Sequence, residues 1–75
     1  METYLINWLK ERQKQLPLPT LTLTHIDIEC ESYNRLYTTC HFNKYALEVV
    51  FTKARDKVAV EKAQFHYAGL TYTIN

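Results

Sequence analysis

The fold of this chain is decided by residues 20–52, which read TLTLTHIDIECESYNRLYTTCHFNKYALEVVFT. Apolar and polar residues alternate through almost all of this stretch, and Thr, Ile, Val, Tyr and Phe dominate it. A period of two is typical of strands that bury one face. Turn signals near Asn34 and at Asn43-Lys44 divide the stretch, and the pattern therefore predicts three antiparallel strands.

The first of these strands changes phase partway along. Leu21 and Leu23 share one phase, whereas Ile26, Ile28 and Cys30 share the other. One extra residue at the switch, a β-bulge, would return both sets to the same face. The alternative is that the strand begins after the switch and that the earlier residues form a separate extended segment.

The buried face predicts a register for the first hairpin. On the second strand it holds Leu36, Thr38, Cys40 and Phe42, and pairing Cys40 with Cys30 brings the apolar sets of both strands together. On the third strand, 45–52, it holds Tyr45, Leu47, Val49 and Phe51. The opposite face of the first hairpin is acidic, with Asp27, Glu29 and Glu31.

The residues before the sheet predict a helix over 2–16. Leu5, Trp8, Leu9 and Leu16 form one stripe at helical spacing. Pro17 then ends the helix and starts an extended segment that leads into the sheet.

The residues after the sheet allow two interpretations. The segment 54–68 holds good helix formers, and Gly69 suits the position that closes a helix, so a second helix is favoured. The alternative is a strand through Val58, Val60, Ala63, Phe65 and Tyr67, which needs a bulge at Glu61-Lys62. Residues 70–74 alternate again and allow a short final strand or an ordered tail.

The predicted fold class is therefore α+β. A helix, a three-stranded antiparallel sheet and a second helix on the same sheet face (αβββα) form a single domain over 1–75, with room for a short C-terminal strand.

Composition limits the classes of function. The chain has 75 residues, a net charge of +1 and 47% hydrophobic residues. So small a charge sets up no global field toward nucleic acid or membrane. There is no apolar run of about 18 residues and no signal-peptide pattern at the start, so we expect a cytoplasmic protein without membrane contact.

Cysteine and histidine patterns give little sign of chemistry. Cys30 and Cys40 could form a cross-strand disulfide, although two packed thiols are the stronger expectation in an intracellular chain. Their spacing with His25 and His41 fits no zinc template, so we expect no metal and no cofactor. Glu29 with His41 is the best acid–base pair, but no catalytic motif accompanies it, and we expect no enzyme.

Basic residues carry the stronger signal. They form two short runs, one in the first helix and one at the start of the predicted second helix, with Arg35 in the first hairpin turn. A helix start surrounded by Lys and Arg is a natural anion site. The alternative is an ordinary solvated face.

Three segments resemble the double-stranded RNA-binding domain: residues 4–12, 34–44 and 52–59. In that family the basic helix start contacts phosphates, while the first helix and the first hairpin loop meet successive minor grooves. The resemblance implies a double-stranded RNA partner. It implies contacts at Lys53, Arg55, Lys57, Arg35, Asn34, Lys10 and Lys14.

A second function is nearly as well supported by the pattern. A small chain with a Tyr-rich strand surface and exposed strand edges suits protein–protein contacts. Such a module would form a homodimer, or it would act as a small regulator or inhibitor that docks on a larger protein.

Overall fold

The computed structural model describes residues 2–16, 22–42, 45–55 and 57–75. One helix precedes five strands that pair in chain order, so the sheet is an antiparallel meander. The helical elements are α1 (Glu2–Glu11) and a short 3-10 helix (Gln13–Gln15). The strands are β1 (Leu23–Glu31), β2 (Arg35–Phe42), β3 (Tyr45–Ala54), β4 (Lys57–Tyr67) and β5 (Leu70–Ile74).

The core lies between α1 and one face of the sheet, here called the inner face. It collects the buried side chains of α1 and of four strands: Leu5, Leu9, Leu36, Cys40, Phe42, Leu47, Val49, Phe51, Ala63, Phe65 and Ile74. The residues predicted to be buried on the second and third strands are all in this set, except that Tyr45 is half-buried and Thr38 is a buried polar residue. The period-two pattern is therefore confirmed there.

The predicted second helix is wrong, and with it the αβββα fold. Residues 57–67 form β4, which pairs with β3 from Lys57 to Phe65. Val50 pairs with Lys62 and Phe51 with Val60, so Glu61 is the extra residue of a bulge. The bulge puts Val60 and Ala63 on the same face of β4. Apolar residues whose spacing suggested one side of a helix can therefore line the buried face of a strand.

The turn before β5 explains the single glycine. Ala68 and Gly69 have φ values of 54° and 76°, the left-handed conformation that a two-residue type I′ hairpin requires at both central positions. Gly69 thus closes a hairpin and does not end a helix. Residues 70–74 form the short final strand that their alternation allowed.

Two bulges shape β1. Leu23 pairs with Phe42 and His25 with His41, so Thr24 is the extra residue, and of the two interpretations that the phase change left open the bulge is correct. A second register shift between Ile28 and Cys30 makes Glu29 an extra residue as well.

The predicted pairing of the two cysteines is wrong. Cys40 pairs with Ile26, and Cys30 pairs with Tyr37. The second bulge turns Cys30 to the exposed face, while Cys40 stays buried.

The helical segment ends against the last strand. The predicted helix over 2–16 is α1 followed by the 3-10 helix. Arg12 Nε and Gln15 Nε2 each donate a 2.9 Å hydrogen bond to the backbone carbonyl of Asn75. At the other end of α1, the hydroxyl of Tyr4 accepts a 3.3 Å bond from the N–H of Val60. The helical segment therefore lies toward β4 and β5.

Several sequence features lie outside the described residues. They are Pro17, Leu21 and the Asn43-Lys44 turn. Among the residues that the structure does describe, no helix has the length and apolar character needed to cross a membrane.

Candidate functional site

The second face of the sheet, here called the outer face, is polar. One row of paired residues crosses all five strands: Asp27, Thr39, Glu48, Gln64 and Thr73. A neighbouring row holds Tyr37, Val50 and Lys62. Between these rows lies a shallow depression of about 290 Å³. The outer face thus combines carboxylates and amides with a small apolar floor.

On β1 and β2 the outer face gathers two histidines around one carboxylate. His25 Nε2 lies 2.6 Å from Asp27 Oδ1, and His41 Nε2 lies 2.8 Å from Asp27 Oδ2. The two rings meet edge to face, with centroids 4.8 Å apart. We call these three residues the His–Asp–His cluster.

Glu29 and His41, the best candidate for an acid–base pair in the sequence, do not contact each other. Glu29 accepts a 2.9 Å hydrogen bond from Thr39 Oγ1, and His41 contacts Asp27 instead. Since Glu29 is the bulged residue of β1, its side chain reaches the neighbouring threonine and not the histidine.

The residues predicted from the sequence to contact nucleic acid lie in two groups. Asn34, Arg35, Lys53, Arg55 and Lys57 come together at one end of the sheet, where Lys53 N donates a 2.9 Å bond to Asn34 O. The other two, on α1 and on the 3-10 helix, belong to a different element: Lys10 and Lys14. The sheet end is therefore one of two surfaces rather than part of a continuous site.

Acidic partners neutralise two of the cations at the sheet end. Arg35 donates to Glu61 from Nε at 2.7 Å and from Nη2 at 3.0 Å. These bonds lower the pKa of Glu61 and raise the pKa of Arg35. Lys53 Nζ lies 2.6 Å from Glu31 Oε1.

The helix start expected beneath these cations is replaced by a hairpin. Arg55 lies in the turn between β3 and β4 with φ 58°, and Lys57 begins β4. The described residues 52–55 and 57–59 therefore offer no row of free helical N–H groups for a phosphate.

Both cysteines are free thiols. Burial raises the pKa of Cys40, whose side chain is fully enclosed in the core. Cys30 is exposed on β1. The two thiols therefore lie in opposite environments.

Sequence reasoning missed two features of β1. The first is the His–Asp–His cluster. The period-two spacing of His25 and Asp27 was a signal in the sequence, but the pairing of His41 with His25 was not. The second is Ile28, which pairs with buried Thr38 and yet is 57% exposed. The cluster depends on the register of β1 against β2, and the exposure of Ile28 depends on the position of β1 at the edge of the sheet.

Comparison of this chain with protein-family models, with curated proteins and with solved structures finds no match.

Proposed function

We propose that this protein is a small non-catalytic binding module that accepts an extended, positively charged segment of a partner protein as a sixth strand beside β1. The observation that carries the proposal is the long and open edge of β1. The two free thiols fit the expected intracellular location.

The first support is the position and exposure of β1. Within the part of the chain that the structure describes, it pairs with β2 alone, and it has 9 residues against 5 in β5, the strand at the opposite edge. Only Leu23 and Ile26 are half-buried, and its other residues are exposed. An edge strand presents unpaired N–H and C=O groups along one side, and an added strand satisfies them.

The second support is an uncovered apolar position on the inner face. Ile28 faces the same side as the core but lies beyond the cover of α1, which is held toward β4 and β5 by Tyr4 and Arg12. An apolar side chain from an added strand would cover Ile28 and bury it.

The third support is charge. Asp27 and Glu29 have no Lys or Arg partner among the residues that the structure describes. In an antiparallel pair of two β1 strands these carboxylates would face each other, which disfavours a homodimer through this edge. A partner strand with Lys or Arg facing them is complementary.

The expected binding of double-stranded RNA remains a prediction, and the geometry supports it less well. Two of the residues expected to contact RNA, Arg35 and Lys53, form ion pairs with Glu61 and Glu31. The helix start that contacts phosphates in the resembling family is a strand here.

The test is a pair of extended peptides that alternate Val with Lys or Val with Glu. We expect the Lys peptide to bind, with chemical-shift changes concentrated on β1, and the Glu peptide not to bind. Ile28→Lys and Glu29→Gln should each weaken the complex. Leu70→Lys is the matched control, because Leu70 is 59% exposed on the opposite edge of the sheet.

Three results would contradict the proposal. The first is equal binding of both peptides, and the second is equal weakening by Leu70→Lys. The third is a protein that binds neither peptide but binds an RNA duplex of about 16 base pairs, and that loses the duplex when Lys53→Glu, Arg55→Glu and Lys57→Glu are combined.

A further inference from the structure

We infer that the His–Asp–His cluster is a binding site for a divalent transition metal ion such as Zn²⁺. The site uses side chains on the outer face and not the backbone edge of β1, and it shares Asp27 with the acidic surface of the proposed strand addition.

The cluster forms because strand periodicity and strand pairing converge on one point. His25 and Asp27 are two residues apart on β1 and therefore share a face. His41 is the direct cross-strand partner of His25. One ligand atom from each residue lies within 4.8 Å of the others.

Ring orientation is the observation that points to a metal. Both histidines direct Nε2 to the same carboxylate, one to each oxygen. In a tetrahedral zinc site the ligand atoms are about 3.3 Å apart, given zinc–nitrogen distances of about 2.0 Å. The three donor atoms of the cluster, which lie within 4.8 Å of one another, are near that spacing.

The donor set selects the class of metal. Two imidazoles and one carboxylate suit Zn²⁺, Co²⁺, Ni²⁺ and Cu²⁺, whereas Mg²⁺ and Ca²⁺ prefer oxygen ligands alone. When the ion binds, each Nε2 contributes its lone pair: a neutral ring keeps its one proton on Nδ1, and a doubly protonated ring releases one proton to solvent. The carboxylate offsets one of the two positive charges.

The coordination is incomplete with protein ligands alone. Three donors leave a fourth tetrahedral position for water or for a donor from another molecule. The side chains of His25 and Asp27 are 59% and 51% exposed, so this position is open to solvent. We therefore expect exchangeable binding and not a structural zinc that the fold requires.

A second histidine contact on the same face is the natural comparison. His66 Nε2 lies 3.2 Å from Glu48 Oε2, and His66 Nδ1 lies 3.0 Å from Thr71 Oγ1. It has one carboxylate and one hydroxyl but no second imidazole. His66→Ala therefore removes a histidine of similar exposure without touching the cluster.

The experiment is isothermal titration calorimetry of the untagged protein with ZnCl₂. A parallel titration with CoCl₂ is followed by visible absorption spectroscopy. We expect one ion per chain and a Co²⁺ spectrum without a thiolate charge-transfer band. His25→Ala, His41→Ala and Asp27→Asn should each weaken Zn²⁺ binding about tenfold or more. His66→Ala and Cys30→Ser should leave the affinity unchanged, and circular dichroism should show that every variant is folded.

Four results would overturn the inference. They are no saturable Zn²⁺ binding, equal binding of Mg²⁺ or Ca²⁺, a loss of affinity in His66→Ala as large as in His41→Ala, and a loss in Cys30→Ser. In the first case the cluster is only a pair of hydrogen bonds around Asp27. In the others the ion binds elsewhere or by charge alone.

Discussion

Arg35 and Glu61 form a two-pronged ion pair across the sheet, with Nε–Oε2 and Nη2–Oε1 distances of 2.7 and 3.0 Å. Arg35 begins β2, whereas Glu61 is the bulged residue of β4, and the pair passes over β3. The bulge thus gives a residue predicted to bind phosphate an acidic partner within its own chain.

This pair predicts a dependence of stability on pH. The folded-state pKa of Glu61 lies below its ordinary value of 4.5, so its contribution is present above about pH 4.5 and is lost as pH falls through the lower, folded-state pKa. We expect Glu61→Gln to lower Tm at pH 7 by a few degrees at most, and the difference from wild type to vanish in acid. Thermal unfolding followed by circular dichroism between pH 2.5 and 7 measures this.

A more exposed ion pair gives the control for this experiment. Glu11 lies 3.4 Å from Arg12 with its side chain 74% exposed. Glu11→Gln should change Tm by less than Glu61→Gln at pH 7. A Glu61→Gln protein whose deficit persisted at pH 2.5 would contradict the role of the ionised pair.

The turn between β4 and β5 is open to stabilisation. Ala68 has φ 54°, which most residues with a Cβ tolerate poorly and which asparagine, among residues other than glycine, tolerates well. We expect Ala68→Asn to raise the free energy of unfolding by about 0.5–1 kcal/mol in urea titrations. Gly69→Ala should lower it by about 1 kcal/mol through backbone strain alone, since an added Cβ there meets nothing within 4 Å. No difference between the two variants would argue against the type I′ turn.

The two cysteines should differ in reactivity. Cys30 is exposed, whereas Cys40 is enclosed in the core and burial raises its pKa. We expect one thiol per folded chain to react rapidly with a thiol reagent at pH 8, and the second to react only as the chain unfolds. Cys30→Ser should remove the rapid phase. Two rapid phases, or a rapid phase that Cys40→Ser removes, would contradict the register of β1.

Docking of the helical segment should depend on Arg12. Its guanidinium lies 4.1 Å from the ring centroid of Trp8, and its Nε bonds to the carbonyl of Asn75. We expect Arg12→Ala to cost about 1–2 kcal/mol of unfolding free energy in urea titrations. Lys14 is two residues away and its side chain is exposed, so Lys14→Ala should lower the unfolding free energy by less than about 0.5 kcal/mol. Similar costs for both would show that the contacts of Arg12 add nothing.

Sequence reasoning succeeded where one residue pattern had one structural solution. The alternation of Leu36, Thr38, Cys40 and Phe42 admits only a strand with one buried face, and that face is buried. The phase change before Ile26 required an irregularity, and the bulge at Thr24 supplies it.

It failed where two solutions satisfied the same pattern. Val60 and Ala63 suit a helix stripe, and they equally suit a strand once Glu61 is bulged. Local propensity favoured the helix. Pairing decided otherwise, because β4 satisfies the free edge of β3 and buries Phe65 against the core. That gain depends on a neighbouring strand, which no local window contains.

The sequence by itself therefore determined the first helix and the buried faces of β2 and β3, and it required an irregularity before Ile26 without deciding between a bulge and a later strand start. Those features depend on periodicities within single segments, which follow from backbone geometry. Only the tertiary structure decided that residues 57–67 form a strand, that Cys30 is exposed and that His25, Asp27 and His41 form a cluster. Each of these follows from strand register, and a shift of one residue in register moves a side chain to the opposite face of the sheet.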